Sequence, residues 1–148
     1  ATGDTHLGSA STPPLEQLWS KDLLPYRDSG QYGDTAVMVG HLDVPGLTNG
    51  APATLSPHAY ALLHGDIGFS GPAITDDLGA MKAVTERADL PDAVLQALSA
   101  GADMALWSSG ARIGEVLDRL QRALTSGALT SARVDEALHR VLAMKGVC

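Results

Sequence analysis

The chain has a single cysteine, Cys148, at its last position. One thiol cannot close an internal disulfide, and no cysteine pair at structural-metal spacing exists. Cys148 is read as an inert terminal residue. Basic residues are also scarce: 10 Lys and Arg against 17 Asp and Glu leave a net charge of −7, with no basic cluster. Nucleic-acid binding needs a basic patch or stripe, so composition argues against that partner. No apolar run approaches the roughly 20 residues of a membrane-spanning helix. The opening Ala1–Ser9 is rich in Gly, Ser and Thr and lacks an initiator Met. It is neither a secretory signal nor a targeting helix. It reads as the interior of a loop, so the chain is expected to begin partway through a longer product.

What is present is enough apolar material for a core. Hydrophobic residues make up 45% of 148 positions, which suits one domain. Pro13-Pro14 can open a helix, and Leu15, Leu18, Trp19 and Leu23 share one face until Pro25 ends or kinks it. Thr35–Val39 is a short continuous apolar run, the pattern of a strand buried on both faces. A loop rich in Gly and Pro runs from Gly40 to Ser56. Ser56-Pro57 then starts a helix expected to reach Leu63 or His64. Gly71–Thr75 reads as a second buried strand, with Asp76 and Asp77 at its C-terminal end. A helix over Pro91–Ala100 stops at Gly101, and Asp103–Trp107 is the third strand candidate. Ile113, Val116, Leu117, Leu120 and Leu124 form one helical stripe ending at Gly127. Val134, Leu138, Val141 and Leu142 form another, capped by Thr130 or Ser131 and ended by Gly146.

Short apolar strands separated by helices are the pattern of parallel βαβ units. The fold class is therefore α/β. About three strands cannot close a (β/α)8 TIM-type barrel, which needs eight. Either the sheet is small and open, or the chain is the C-terminal part of such a barrel. A start in mid-loop favours the second.

Three groups of residues can carry chemistry. In parallel α/β folds, reacting groups sit where strands end and loops begin, which is where Asp76 and Asp77 stand. A carboxylate there can attack an electrophile, act as a base or bind a metal. It can also cap a following turn or helix, a role that suits Asp77 better than Asp76. Asp4-Thr5-His6 puts a carboxylate and an imidazole at i and i+2, which face the same way in an extended segment. The carboxylate can then fix the tautomer and orient the ring for proton transfer. Three such residues by themselves more often describe a solvated loop. His41, after Val37-Met38-Val39-Gly40, can line a pocket or serve as a satisfied structural histidine. His58, His64 and His139 read as surface or packing residues. Met104 and Trp107 read as core, with Trp107 close enough to its strand end to touch a sugar ring. No His, Asp and Glu set at ligand spacing accompanies the aspartate pair, so no metal site is expected.

Val37–His41, Pro52–Pro57, Gly68–Leu78 and Ala100–Met104 occur in an order and spacing that resembles bacterial family 3 glycoside hydrolases. The likeness is to their single-domain β-N-acetylglucosaminidases of peptidoglycan turnover. Arg133–Ala137 and Arg140–Gly146 fit the same pattern, so the resemblance covers nearly the whole chain. It implies that residues 1–148 are the C-terminal portion of the catalytic barrel and that residues 1–13 form its acid/base loop. It further implies a retaining hydrolase that removes terminal β-linked N-acetylglucosamine through a covalent glycosyl-aspartate. Asp76 would be the nucleophile, His6 the general acid/base, Asp4 its orienting partner, and His41 a substrate-binding residue.

No cofactor is implied, and the partner would be a carbohydrate of the muropeptide type. The family's Lys-His-Phe-Pro-Gly-type segment, which precedes the dyad, is absent from these residues, as are the first barrel strands. The missing half or self-association would have to cover the exposed side. The ending Ala143–Cys148 resembles the lipoprotein-type branch, which implies a cell-envelope location, with cytoplasm as the alternative. A β-glucosidase-type member is the rival enzyme reading, although such members take their acid/base from elsewhere. A catalytically silent subdomain is the rival outside enzymes.

Overall fold

The computed structural model describes residues 1–27 and 34–147, so Cys148 lies outside the described residues. The order is α1 (Leu15–Ser20), β1 (Val37–Val39), α2 (Pro57–Ala61), β2 (Ala73–Asp77), α3 (Lys82–Thr85), α4 (Leu90–Ala100), β3 (Met104–Leu106), α5 (Ile113–Ser126) and α6 (Ser131–Met144). The three strands form a parallel sheet in sequence order, with Met38 opposite Ile74 and Ile74 opposite Met104. The expected α/β pattern is thus found. α1 is shorter than its apolar face suggested, ending at Ser20. α2 gives way to a π-helical turn, Leu62–Asp66. α3 was not expected: Leu78, Met81 and Val84 recur every third residue and are all buried, but the helix they support is only one turn long.

The core lies on one side of the sheet. Val37, Val39, Ala73 and Ala105 pack with Tyr60, Leu63, Val84, Val94 and Val116 beneath the helices. Gly101 lets α4 end tightly over this core. Its φ is +133°, and a Cβ there would stand 2.6 Å from the Cβ of Tyr60. The other face carries the row Met38, Ile74 and Met104, with Met38 54% exposed. β1 is therefore not buried on both faces as its apolar run suggested, and Met104 is not in the main core. A continuous apolar run looks the same whether one or two layers cover it, and here one layer is present.

The helical stripes are likewise only half used. On α5, Val116 and Ala123 are buried, while Ile113, Leu117 and Leu124 face outward, Leu117 at 59% exposure. α6 buries no residue fully. Its Val134 packs against the Leu95, Ala123 and Leu129 cluster, and the rest of the helix's attachment is ionic. The Asp103 carboxylate, 0% exposed, accepts from Arg133 at 2.6 Å and Arg140 at 3.2 Å through Oδ1. Its Oδ2 accepts the main-chain N–H of Ala73 at 2.9 Å. Arg133 also donates to the carbonyls of Leu98 and Ala102 at the end of α4. One carboxylate thus joins the start of β2, the start of β3 and the helix α6.

A second carboxylate joins the opposite ends of the same strands. Asp77 accepts the N–H groups of Gly79 at 2.8 Å and Ala80 at 3.0 Å through Oδ1, and that of Ser108 at 3.0 Å through Oδ2. It caps a turn rather than a helix. Burial pushes its carboxyl upward, but the hydrogen bonds from Ser108, Gly79 and Ala80 outweigh this and hold it below the ordinary carboxylate value.

Two outcomes are expected. Asp103→Ala leaves two guanidinium groups without their acceptor and should cost roughly 3 kcal/mol or more in denaturant unfolding. Amide exchange over 131–144 should accelerate with it; an unchanged α6 would show that the ionic tie does not hold the helix. For Asp77, a lowered folded pKa means that its contribution is complete above the unfolded value of about 3.9 and is lost as pH falls through the folded one. The stability advantage over Asp77→Asn should accordingly be present at neutral pH and vanish in acid. A gap that stays constant with pH would exclude a role for the charge.

Candidate active site

The site side of the sheet is the C-terminal end of the strands. There the β2–β3 register shifts between Ile74 and Asp77. The Thr75 hydroxyl, fully buried, accepts the Leu106 N–H at 2.8 Å, and the Leu78 N–H reaches the Leu106 carbonyl at 2.9 Å. A side chain thus replaces a main-chain acceptor just before Asp76, the kind of irregularity that re-aims the next side chain. Asp76 is part-buried, and its Oδ1 accepts the N–H of Asp77 at 2.8 Å. Among the described residues no Lys or Arg forms an ion pair with it. The two adjacent aspartates therefore differ: Asp77 is spent on three N–H groups, and Asp76 is not.

Asp4 and His6 are in contact, but not by the route the spacing suggested. The segment is a tight turn, in which the N–H groups of Leu7 and Gly8 reach the Asp4 carbonyl at 3.0 and 3.2 Å. The Asp4 side chain accepts the His6 main-chain N–H at 2.9 Å and meets His6 Nδ1 at 2.8 Å, both through Oδ1. This is an Asx turn that also captures the ring, not two side chains aligned on an extended strand. The bonds from the His6 main chain and ring hold the Asp4 carboxyl below its ordinary value. An ionised Oδ1 needs a donor, so Nδ1 carries the hydrogen and Nε2 is the free nitrogen. The His6 side chain is 65% exposed.

The dyad loop is tied toward Asp76. Thr5, between the two dyad residues, accepts the Ala83 N–H at 3.1 Å and sends its hydroxyl toward the Met81 sulfur at 3.8 Å. Met81 and Ala83 belong to the connection that leaves Asp76. The loop's other end is closed by paired main-chain bonds between Thr2 and Ser11 at 2.7 and 3.1 Å.

His41, a candidate substrate-binding residue from the sequence, is buried just past the end of β1. It is 2% exposed. Its Nε2 donates to the Asp77 carbonyl at 3.1 Å, and its Nδ1 lies 2.8 Å from the Thr54 hydroxyl. That hydroxyl is within 2.7 Å of the Gly40 carbonyl and 2.9 Å of the Val39 carbonyl. Burial lowers the imidazole below its ordinary value, partly offset by the Asp77 carbonyl and the charges of Asp76 and Asp77. The ring joins the end of β1 to the end of β2, with both nitrogens engaged inside the protein. Trp107 packs against the helix-side core and donates its indole N–H to the Ala111 carbonyl at 3.1 Å. His64 stacks on Phe69 and bonds its carbonyl at 2.7 Å, and His58 is exposed on α2.

Sequence reasoning missed Thr54, Thr75 and Asp43, all of which build this end of the sheet. Asp43 alone had a signal: it opens the turn-forming run Asp43-Val44-Pro45-Gly46-Leu47-Thr48-Asn49-Gly50. Among the described residues no group of His, Cys, Asp and Glu is arranged to hold a metal ion.

Comparison with known proteins gives this arrangement a lineage. Residues 1–144 match the family described as glycosyl hydrolase family 3 N terminal domain. The chain is 46% identical, over 98% of its length, to the β-hexosaminidase LpqI of Mycobacterium tuberculosis, and it spans 39% of that protein. It is 34% identical to a β-hexosaminidase of Stenotrophomonas maltophilia, over 85% of this chain and 38% of the relative. Among solved structures, a family 3 glycosyl hydrolase from Mycobacterium smegmatis superimposes with a TM-score of 0.93 at 51% identity, over 97% of this chain and 46% of the other. A β-N-acetylglucosaminidase of the same family from a Paenibacillus species gives 0.87 at 32% identity, over 98% of this chain and 28% of the other. The aspartate at the strand end and the Asp-x-His turn thus sit in a chain that belongs to glycosyl hydrolase family 3.

Proposed function

We propose that this chain carries the reacting groups of a retaining β-N-acetylglucosaminidase. The observation that supports this best is the dyad. A histidine with Nδ1 on a carboxylate and Nε2 free stands on a loop tied to the connection leaving Asp76. In this reading Asp76 attacks the anomeric carbon while protonated His6 gives its proton to the departing glycosidic oxygen. A glycosyl-aspartate forms and the aglycone leaves. Water then attacks the same carbon, His6 takes the water's proton, and Asp76 is released. Retaining glycosidases ordinarily use two carboxylates for these steps. An imidazole can replace one because its unperturbed pKa of about 6.5 allows both protonation states near neutrality. Asp4 orients the ring.

His41 enters this reading as a brace rather than a sugar contact, since both its nitrogens are occupied within the protein. The chain would supply the C-terminal βα units of a (β/α)8 barrel, with residues 1–13 as the acid/base loop. The open row Met38, Ile74 and Met104 would then face the barrel interior, and the remaining strands would come from polypeptide outside these residues. The relatives' names, β-hexosaminidase and β-N-acetylglucosaminidase, support a substrate ending in β-linked N-acetylglucosamine. Peptidoglycan fragments are the source that the sequence resemblance favours, and the lipoprotein-like ending favours the cell envelope.

The test uses a protein of the relatives' full length that contains this chain, with p-nitrophenyl β-N-acetylglucosaminide as substrate. Asp76→Ala should lower turnover by roughly 10³-fold or more, and the wild type should release the β-anomer first by proton NMR. A folded Asp76→Ala protein with near-normal turnover would eliminate it as the nucleophile. Initial release of the α-anomer would overturn retention. Faster cleavage of the glucoside than of the N-acetylglucosaminide would move the substrate to the glucosidase class.

A further inference from the structure

The proton-transfer loop needs a fixed base, because a misplacement of about 1 Å in a reacting group can cost on the order of 100-fold in rate. The base is built on one residue outside the dyad. Asp43 lies past the end of β1 and binds three successive residues at the loop's exit. Its main-chain N–H donates to the Ala10 carbonyl at 2.8 Å, and its carbonyl accepts the Thr12 N–H at 2.9 Å. Its Oδ2 accepts the Ser11 hydroxyl at 3.2 Å. Ser11 is also the residue that pairs with Thr2 and so closes the loop around Asp4 and His6. Entry and exit of the loop therefore converge on Asp43.

The Asp43 side chain is itself held from the other direction. Its Oδ1 accepts the Thr48 hydroxyl and the Gly50 N–H, each at 2.8 Å. Arg87, in the turn after α3, donates to the Gly50 carbonyl at 2.8 Å. The brace thus runs from the dyad loop through Asp43 and Gly50 to the connection that leaves Asp76. The Thr48 hydroxyl, then the Gly50 N–H, the Ser11 hydroxyl and the Arg87 charge outweigh burial and hold the Asp43 carboxyl below its ordinary value. An ionised carboxylate accepts on both oxygens, which suits the donors that meet it here.

We propose that Asp43 is the positioning residue of the acid/base loop, clamping its base through Ser11 so that the His6 imidazole meets the leaving-group oxygen. The inference rests on the reading of His6 as the general acid. Asp43 touches no reacting atom, so its loss should weaken proton delivery while leaving the nucleophile's attack intact. Aglycone acidity separates the two. A dinitrophenyl leaving group departs as a stable anion and needs no proton, whereas an unsubstituted phenyl leaving group depends on one. The parameter to compare is kcat/KM, which reports events through the first bond cleavage.

In the full-length protein, Asp43→Ala should lower kcat/KM for phenyl β-N-acetylglucosaminide by about 10- to 100-fold, at or below the low end of the roughly 10²- to 10⁴-fold that a general acid contributes. The dinitrophenyl substrate should change by less than about 3-fold by the same principle. Asp43→Asn keeps an acceptor for Gly50 and a partner for Ser11, and should recover most of the loss. Equal losses on both substrates, or none, would overturn the proposal. His6→Ala, run beside it, separates the two ideas. Selective loss in His6→Ala without selective loss in Asp43→Ala rejects the positioning role alone. No selective loss in His6→Ala rejects the general acid and the inference resting on it. If Asp43→Ala does not melt cooperatively, Ser11→Ala decides, since it removes one hydroxyl. The same selectivity at smaller amplitude supports the clamp, and unaltered selectivity rejects it.

Discussion

The arrangement depends first on the buried carboxylate of Asp103. Burying a charge is costly unless every lone pair finds a donor. Asp103 finds two guanidinium groups and a main-chain N–H, and those three donors come from α6 and the start of β2. Because α6 buries no side chain fully, apolar contact alone does not explain where it docks. The requirement to satisfy one carboxylate does. The same bond to Ala73 sets the start of β2, so the position of Asp76 near its other end is referred back to an interaction at the far end of the sheet.

The opposite end of that strand is held by a different kind of chemistry. Asp77 collects N–H groups from its own turn and from the loop after β3, and its carbonyl receives the ring of His41 from beyond β1. All three strands are therefore fixed to one another on both sides of a single residue. Asp76 sits within this frame with one oxygen on the neighbouring N–H and, among the described residues, no Lys or Arg in an ion pair with it. A framework residue whose polar atoms are all satisfied and a neighbour left available is the division of labour expected of a preorganised site.

Much of this was legible in the sequence, for identifiable reasons. The apolar runs Thr35–Val39, Gly71–Thr75 and Asp103–Trp107 contain or overlap the strands found over 37–39, 73–77 and 104–106, and α4 and α5 end where Gly101 and Gly127 predict, with α6 ending two residues before Gly146. The aspartate pair could be located because it follows an apolar run directly. The spacing of Asp4 and His6 allowed their contact but by itself favoured a solvated loop, and the backbone that makes the contact is a turn, since an Asx bond to the main chain competes locally with extension. The roles of Asp103, Thr54 and Asp43 were not legible. Asp103 meets Ala73 and Arg133, and Asp43 meets Ser11, across long stretches of chain, and nothing in a carboxylate or hydroxyl taken alone says which distant donor will meet it. Periodicity located the α5 stripe but not its cover: Ile113, Leu117 and Leu124 face outward, because periodicity reports an apolar face and not what lies over it.

One property of the Asp4–His6 turn reaches beyond this site. A single oxygen holds both the backbone and the ring of the residue two positions on, so the geometry of the pair is contained in a tripeptide. No tertiary contact is needed to orient the imidazole, only to deliver it. Such a unit is transferable. Moved to another loop, or carried on one that swings, it arrives with its tautomer already chosen. Selection acting on the loop's length and anchorage can then move the imidazole without having to rebuild the turn that orients it.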